Sequence, residues 1–370
     1  MKVIHLNSFE QILEFGVYWD ELLDGGKDDH VFMTMEWLTT WWKHYSDNRK
    51  LLLLIVEDEK RVLAVAPLME TTYKLFGLKL QMIEFVGTPH SDYHAFICLE
   101  KSLVCLRMLM SYVRECLTTW DCIELKDIPE NTETARILKL ISGEPMELEE
   151  RKLDLCPSIP LPQTFEEYFR KLGKTTRKRL RQGKRKLGSN HKVEFRRYDE
   201  IGSVEESMKT FFDLHQKRFQ SKGAPGLFVD ETFRNFHLEV AKRFAEKGWL
   251  RLYFLTVDDE AVSAVYAFLY KSKLYYYLSG FDPKYSKYGV GNLTTKNLVR
   301  IGIEEGLKEL DFMRGGHLYK THWNTVIRRN IELSTIRCNP VAKAYEWFVR
   351  SNTMPSLSDW LRKRALSNKT

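Results

Sequence analysis

Between Arg170 and Lys186 the chain has no acidic residue, although ten basic ones fall there. The net charge of +7 is therefore not a property of the whole chain, since the remainder holds 47 basic against 50 acidic side chains. No run of about 18 apolar residues occurs, which excludes a membrane-spanning helix. Met1-Lys2-Val3-Ile4-His5 does not open a signal peptide, so a cytoplasmic location is expected, with the inner membrane surface as a further place for the basic segment. The six cysteines show no CxxC spacing and mostly sit in apolar context, which predicts reduced core thiols, with neither a disulfide framework nor a metal site. What remains is an ordinary globular composition in 370 residues, enough for two domains that each bury a core.

The two halves repeat one order of elements. Asp58-Glu59-Lys60-Arg61-Val62-Leu63-Ala64-Val65 stands 200 positions before Asp258-Asp259-Glu260-Ala261-Val262-Ser263-Ala264-Val265. In both places a β-rich apolar run meets an acidic turn and a second apolar run, which predicts a hairpin. A helical pattern precedes each, Glu36 to Tyr45 and Glu231 to Lys247. At a shift of 190, Trp120-Asp121-Cys122-Ile123-Glu124-Leu125 matches Leu310-Asp311-Phe312-Met313-Arg314. This order predicts a tandem repeat of one unit with a mixed α/β (α+β) fold, its sheet largely antiparallel and flanked by helices.

The join falls near Cys156-Pro157-Ser158-Ile159-Pro160-Leu161-Pro162, whose prolines suit a linker. We therefore expect domains at 1–156 and 157–370. After the linker, Thr164 and Glu167 predict a capping box opening a basic helix over 164–188, with a narrow apolar stripe through Phe165, Phe169, Leu172, Leu180 and Leu187. Val341 to Leu366 reads as C-terminal helix.

The chemistry concentrates between Tyr275 and Trp323. An aromatic strand ends in Ser279-Gly280, suggesting a bulge or splay, and Gly289-Val290-Gly291-Asn292 then opens a helix that closes at Gly306. Glycines there let a diphosphate approach the backbone N–H groups of a helix N-terminus. A bare GxG turn is as often a tight connection, and the flanking elements tip the balance toward an anion site.

Here the residues resemble a known family. Leu278-Ser279-Gly280-Phe281-Asp282-Pro283, Asp311 through Trp323, Leu214-His215-Gln216-Lys217-Arg218-Phe219, the basic stretch Arg177 to Leu187, and in the first half Glu36-Trp37-Leu38 and Val65-Ala66-Pro67-Leu68 are similar to the Gcn5-related N-acetyltransferase (GNAT) fold. The resemblance is to its tandem form, found in FemAB-like peptidyltransferases and CelD/BcsL-like acyltransferases, and it spans about residues 30 to 325. It implies two acetyltransferase-like domains, the first degenerate, and acyl transfer from acyl-CoA, acetyl-CoA foremost, to an amine or hydroxyl. The family loop Q/R-x-x-G-x-G/A falls on Ser286-Lys287-Tyr288-Gly289-Val290-Gly291, with Ser286 departing from the pattern and Lys284 or Lys287 available to supply charge. Ser279, Gly280, Lys287, Gly289, Val290, Gly291 and Asn292 are the implied cofactor residues. The first half has no glycine pair after Gln81 to Gly87, which implies lost cofactor binding and a wall for the acceptor.

Acyl transfer needs a base, donors for the thioester oxyanion and an acid for the thiolate. Under the resemblance Tyr319 protonates the thiolate, Lys320 stabilises developing charge, and Asp311 serves as base or only caps or pairs with Arg314, the latter being favoured. Tyr319 as a packed aromatic and Lys320 as a surface residue are the bland alternatives. Asp282, Arg314, His215, Asp92 and His94 are candidates for substrate binding; Asp282 competes with an Asx turn and His215 with a core histidine. Arg177, Lys178 and Arg181 are expected to meet an anion: the coenzyme's 3′-phosphate, a lipid-linked envelope intermediate or RNA. An amino sugar or polysaccharide precursor is the expected acceptor. Nucleic acid is expected only under an alternative, a peptidyltransferase using aminoacyl-tRNA, although the long coiled-coil insertion of such enzymes is not evident. A third alternative is a non-catalytic polyanion-binding protein.

Overall fold

The computed structural model describes residues 1–15, 19–75, 77–200, 203–315 and 318–351. They divide into two units, Met1–Asp154 with Arg328–Thr370, and Leu155–Ile327.

In the first unit, β1 (Lys2–Leu6), α1 (Trp19–Gly25) and α2 (Met35–Tyr45) lead into β2 (Arg49–Asp58), β3 (Arg61–Leu75) and β4 (Leu78–Phe85). Thr34 caps α2 by accepting from Trp37 N–H. The short β5 (Ile97–Cys98) lies beside β3; α3 (Ser102–Cys116), β6 (Cys122–Pro129) and α4 (Glu133–Leu140) follow. β1 to β4 pair antiparallel and β6 joins β4 parallel, Ile83 opposite Ile123. The unit's end falls within β7 (Glu149–Pro160).

The second unit continues with α5 (Phe165–Lys171), α6 (Lys174–Gly188), β8 (Val193–Arg197), α7 (Val204–Gln220), α8 (Glu231–Glu246), β9 (Leu250–Val257), β10 (Glu260–Tyr270) and β11 (Lys273–Phe281). A 3-10 turn at Pro283–Tyr288 leads to α9 (Val290–Glu304), β12 (Glu309–Asp311) and α10 (Leu318–Thr321). Strands β8 to β11 pair antiparallel, β12 joins β11 parallel, and Ser158–Pro160 of β7 lines the far side of β12 antiparallel. The chain then returns to the first unit through β13 (Val326–Ile336) and α11 (Pro340–Ser351), β13 pairing antiparallel with β6 from Asn330 to Ile336.

Each unit thus has four antiparallel strands, a parallel fifth after a helix, and an antiparallel sixth. The hairpin turns repeat as well: Glu59 and Lys60 have φ of 49° and 67°, Asp258 and Asp259 50° and 66°, the left-handed pair that a two-residue turn matched to strand twist requires. The mixed α/β fold expected from the sequence is found. The boundaries differ from 1–156 and 157–370, because the first sheet takes its sixth strand, β13, from beyond residue 327.

Two helix expectations also change. The helix over 164–188 is broken at Leu172–Gly173, where Leu172 is extended (ψ 145°) and Gly173 starts α6. Thr164 accepts from Glu167 N–H at 3.2 Å, but the Glu167 carboxylate turns to Lys171 and does not close the capping box. Of the C-terminal helix, the part beyond Ser351 lies outside the described residues. Four cysteines are buried thiols, whereas Cys116 and Cys338 are exposed. No helix among the described residues is long and apolar enough to cross a membrane.

The second unit's sheet opens where β11 leaves β12. The two pair only over Lys273–Tyr275 with Glu309–Asp311, while β11 runs on to Phe281. The bulge lies at Tyr277, two residues before the expected Ser279, since Tyr266 faces Leu278 and Ala267 faces Tyr276. Gly280 serves helix packing instead. A Cβ there would lie 2.3 Å from His215 N, so only glycine lets α7 dock on β11. Gly280→Ala is therefore predicted to lower stability by about 1–3 kcal/mol. An unchanged thermal melt would refute this close packing.

Candidate functional site

The Gly289–Asn292 turn is built from glycines with different jobs. Gly289 has φ +69°, the left-handed conformation that ends the 3-10 turn and starts α9. Gly291 needs no such freedom, and the nearest atom to a Cβ placed on it is Phe281 Cδ1 at 3.8 Å. Neither backbone nor packing requires glycine there: an added Cβ would make ordinary contact with the Phe281 ring, and Gly291 lines a cleft that a ligand can enter. The first α9 hydrogen bond runs from Leu293 N–H to the Gly289 carbonyl at 3.0 Å. The N–H groups of Val290, Gly291 and Asn292 have no acceptor within the helix, and no side chain caps it. They sit at the positive end of the helix dipole.

Two clefts share this turn. One, about 230 Å³, is lined by Arg218, Ser263, Tyr276 and Ser279–Phe281, Gly280 included, with Gly289–Asn292 and Thr295. Arg218 donates to the Ser279 hydroxyl at 2.8 Å and carbonyl at 3.1 Å, with its guanidinium over the Phe281 ring. The other, about 380 Å³, lies between the turn and α6, with Thr176, Arg179, Gln182, Gly183 and Lys186 on one side and His322 and Trp323 at its end. Gly183 makes this approach possible, because a Cβ there would meet the Tyr288 carbonyl oxygen at 2.4 Å. The basic helix therefore lies against the glycine turn.

The face of α6 that lines this cleft is not the expected one. Arg177, Lys178 and Arg181 do not line it, and Arg181 stacks over Phe169 at 5.4 Å. Helical spacing turns Thr176, Arg179, Gly183 and Lys186 to the cleft instead. The signal in the sequence was Gly183, a glycine inside a helix, which marks a close backbone approach.

Lys287 lines the larger cleft and its ammonium stands 5.0 Å over Tyr288, while Ser286 borders both clefts. Val290 is buried in the core and contributes its backbone. Asp282 caps the 3-10 turn by accepting from Lys284 N–H at 2.9 Å and pairs with Lys217 at 3.4 Å. His215 is a core residue stacked on Phe219 at 4.5 Å, and burial with the nearby Arg218 charge pushes its imidazole down to about 4. It is neutral at physiological pH and does not line either cleft.

Past the splay, the polar side chains serve the backbone. Asp311 accepts from Met313 N–H at 2.7 Å and holds Met313 at φ +53°. Lys320 is buried, and its ammonium donates to the carbonyls of Phe312 and Arg314, both at 2.9 Å. This ties down the exit of β12: the ammonium expected to stabilise developing charge is held by backbone carbonyls, and the alternative of a surface lysine does not hold either. The Tyr319 side chain and the whole of Gly316 and His317 lie outside the described residues.

Asp92 and His94 belong to the first unit. The Asp92 carbonyl accepts from the Asn330 amide at 2.8 Å, and His94 is buried, stacked on Phe85 with Nδ1 3.0 Å from the Lys126 carbonyl oxygen. In that unit β4 and the next long helix, α3, are separated by residues 86–101, and α3 starts behind Lys101 with no glycine turn. Among the described residues no group of three or more His, Cys, Asp or Glu is placed to hold a metal.

Residues 174–321 match the family model described as an acetyltransferase (GNAT) domain, the stretch from the start of α6 to the end of α10. The second unit is accordingly an acyltransferase domain. Among solved structures, FemX is similar at 12% identity and TM-score 0.63, over 93% of this chain and 99% of that one. A conserved protein of unknown function from Bacteroides thetaiotaomicron is similar at 9% identity and TM-score 0.56, over 90% and 100%. The C-terminal domain of a putative lysylphosphatidylglycerol synthetase from Agrobacterium fabrum is similar at 9% and 0.53, over 92% and 100%. At such identities these likenesses concern the fold. No curated protein matches by sequence.

Proposed function

We propose, from the acetyltransferase (GNAT) domain carried by residues 174–321, that the chain moves an acyl group from acyl-CoA, acetyl-CoA foremost, to an amine or hydroxyl. The proposed acceptor is an amino sugar or cell-envelope polysaccharide precursor, as in the CelD/BcsL-like group that the sequence resembles. The observation that carries the donor assignment is the cleft lined by Gly291 beside unsatisfied N–H groups at the start of α9. The donor's diphosphate would be held by the N–H groups of Val290, Gly291 and Asn292, with Lys287, Arg179 and Lys186 supplying the cationic rim that Ser286 does not.

Acyl-CoA supplies the activated thioester. The chain's own residues orient and polarise: β11 offers backbone groups where it parts from β12, and Arg218 is held at the cleft by Ser279. Lys320 and Asp311 act in this reading by fixing the loop after β12, because both are engaged by backbone groups. Tyr319 remains the proposed proton donor to the thiolate, and water takes the proton of the attacking amine. Titration calorimetry with acetyl-CoA and its desulfo analogue is expected to give dissociation constants on the order of micromolar, about −8 kcal/mol. No heat up to millimolar coenzyme would sink the proposal.

The similarity to FemX over nearly the whole of both chains favours a second reading, a FemAB-like peptidyltransferase that draws on aminoacyl-tRNA. Protection of α6 from lysine modification by aminoacyl-tRNA, with none by CoA, would select it.

A further inference from the structure

The eight cations of α6 exceed what a coenzyme cleft uses. Only Arg179 and Lys186 line that cleft. Among the described residues no carboxylate lies within ion-pair distance of any of the eight, nor of Lys296 and Arg300 on α9. Lys296, Arg300 and Leu293 recur on one face of α9 at helical spacing, and Leu293 Cδ1 would lie 3.8 Å from a Cβ on Gly183, the neighbour of Lys184.

Lys296 is only 8% exposed, and among the described residues its ammonium has no hydrogen bond or ion pair. Burial first, then Arg300 and Lys184, push its amine down to about 8. A methionine would fill this volume without the cost of dehydrating an ammonium among like charges. Two guanidinium groups are held in fixed orientations on α5, Arg300 over Phe165 at 4.5 Å and Arg181 over Phe169 at 5.4 Å, and the two rings are themselves stacked. Stacking occupies the face of a guanidinium and leaves its edge N–H groups available, the geometry that suits a phosphate.

We propose that Arg181, Lys184, Lys296 and Arg300 form a second anion site on the flank of α6 and α9, which takes a phosphate or diphosphate group separate from the coenzyme's. The site stands on its own geometry and does not depend on the acyl-transfer reading. A discrete phosphate suits it better than a membrane surface, because the large exposed apolar residues of this unit, Tyr198, Val229, Val326 and Ile327, all lie outside α5, α6 and α9. The group could reach it on a soluble metabolite or on a lipid carrier.

The test compares the intact chain with Lys296→Met and Arg300→Gln, using inorganic pyrophosphate, CoA, 3′-dephospho-CoA, vesicles of phosphatidylcholine with phosphatidylglycerol, and an unstructured RNA oligomer. With the coenzyme cleft filled by saturating CoA, pyrophosphate should still bind the parent and each substitution should weaken it about tenfold, while CoA affinity should stay within about twofold. In the parent, saturation with pyrophosphate should raise the Lys296 amine pKa seen by NMR, a response that a purely structural lysine would not give. Added vesicles carrying a diphosphate lipid that compete with pyrophosphate would support a lipid-linked source, and failure to compete a soluble one.

Four results would overturn the proposal. They are no pyrophosphate binding, an unmoved Lys296 pKa, binding to RNA or anionic vesicles alone, and loss of CoA affinity in Lys296→Met matched by loss of discrimination against 3′-dephospho-CoA. The last would return the site to the coenzyme. Because Lys296→Met removes an unpaired charge, its melting temperature should not fall, so misfolding would not mask the outcome.

Discussion

Gly291→Asp should weaken acyl-CoA binding by about 100-fold or more while leaving the domain folded. The substitution has two effects of opposite sign. Gly291 has no left-handed backbone to strain, and the nearest atom to the new Cβ is 3.8 Å away. A carboxylate in the first turn of a helix also interacts favourably with the dipole, a gain of about 0.3–1 kcal/mol for the free protein. The same carboxylate would occupy the space where a diphosphate must reach the N–H groups of Val290, Gly291 and Asn292, and would repel it. Unfolding by urea should therefore show equal or higher stability, and calorimetry should show little binding. Coenzyme affinity within a few-fold of the parent would remove the glycine turn from the donor site. Gly289 could not serve for this test, since its φ of +69° would confound binding with strain.

What could be read from the sequence was what short-range physics determines. The Asp58–Arg61 and Val257–Glu260 turns, the helix before each hairpin and the glycine turn before α9 all depend on neighbours within a few positions, and they stand where expected, the second hairpin turn one residue earlier than the 200-residue register. The owner of the sixth strand was hidden, because β13 meets β6 some 200 residues away and its alternating pattern does not name its partner. The working face of α6 was hidden for a related reason. The eight cations of α6 spread around the helix outside its apolar stripe and have no internal direction, and only the docking of Gly183 on the Tyr288 carbonyl decides that Arg179 and Lys186 turn to the cleft. Arg218 could be seen in the family-like segment Leu214 to Phe219, yet its aim follows from the close seat of α7 on Gly280. Asp311 and Lys320 looked like free chemistry because each is engaged by backbone groups, which leave no trace in a residue pattern.

Lys126→Met should destabilise the first unit by about 3–5 kcal/mol near pH 8. Lys126 is buried beside three glutamates of the same unit, with its ammonium 2.6 Å from Glu124 and 3.9 Å from Glu332. Glu84, wholly buried, accepts from the Tyr73 hydroxyl at 2.8 Å, and Glu124 also accepts from Tyr345 of α11. Burial pulls the Lys126 pKa down, but Glu124 and Glu332 outweigh it and hold the amine charged. Burial followed by Glu124 pushes Glu332 up to about 7, although Lys126 and Arg151 oppose this, and burial likewise raises Glu84. Folded-state pKa values above the ordinary carboxyl value mean that the folded unit binds protons more readily than the unfolded chain. The contribution of Glu332 is then fully present below about pH 4.5 and fades as pH rises through about 7. The parent should gain stability from this group on acidification from pH 8 to 5.5. Without Lys126 the carboxylates repel one another unscreened and must take up protons to stay buried, so the deficit of the variant should shrink over the same interval. Urea unfolding at both pH values, followed through the first unit's tryptophans, reads both effects. A variant as stable as the parent at pH 8, or a deficit that grows on acidification, would mean that Lys126 does not neutralise these glutamates.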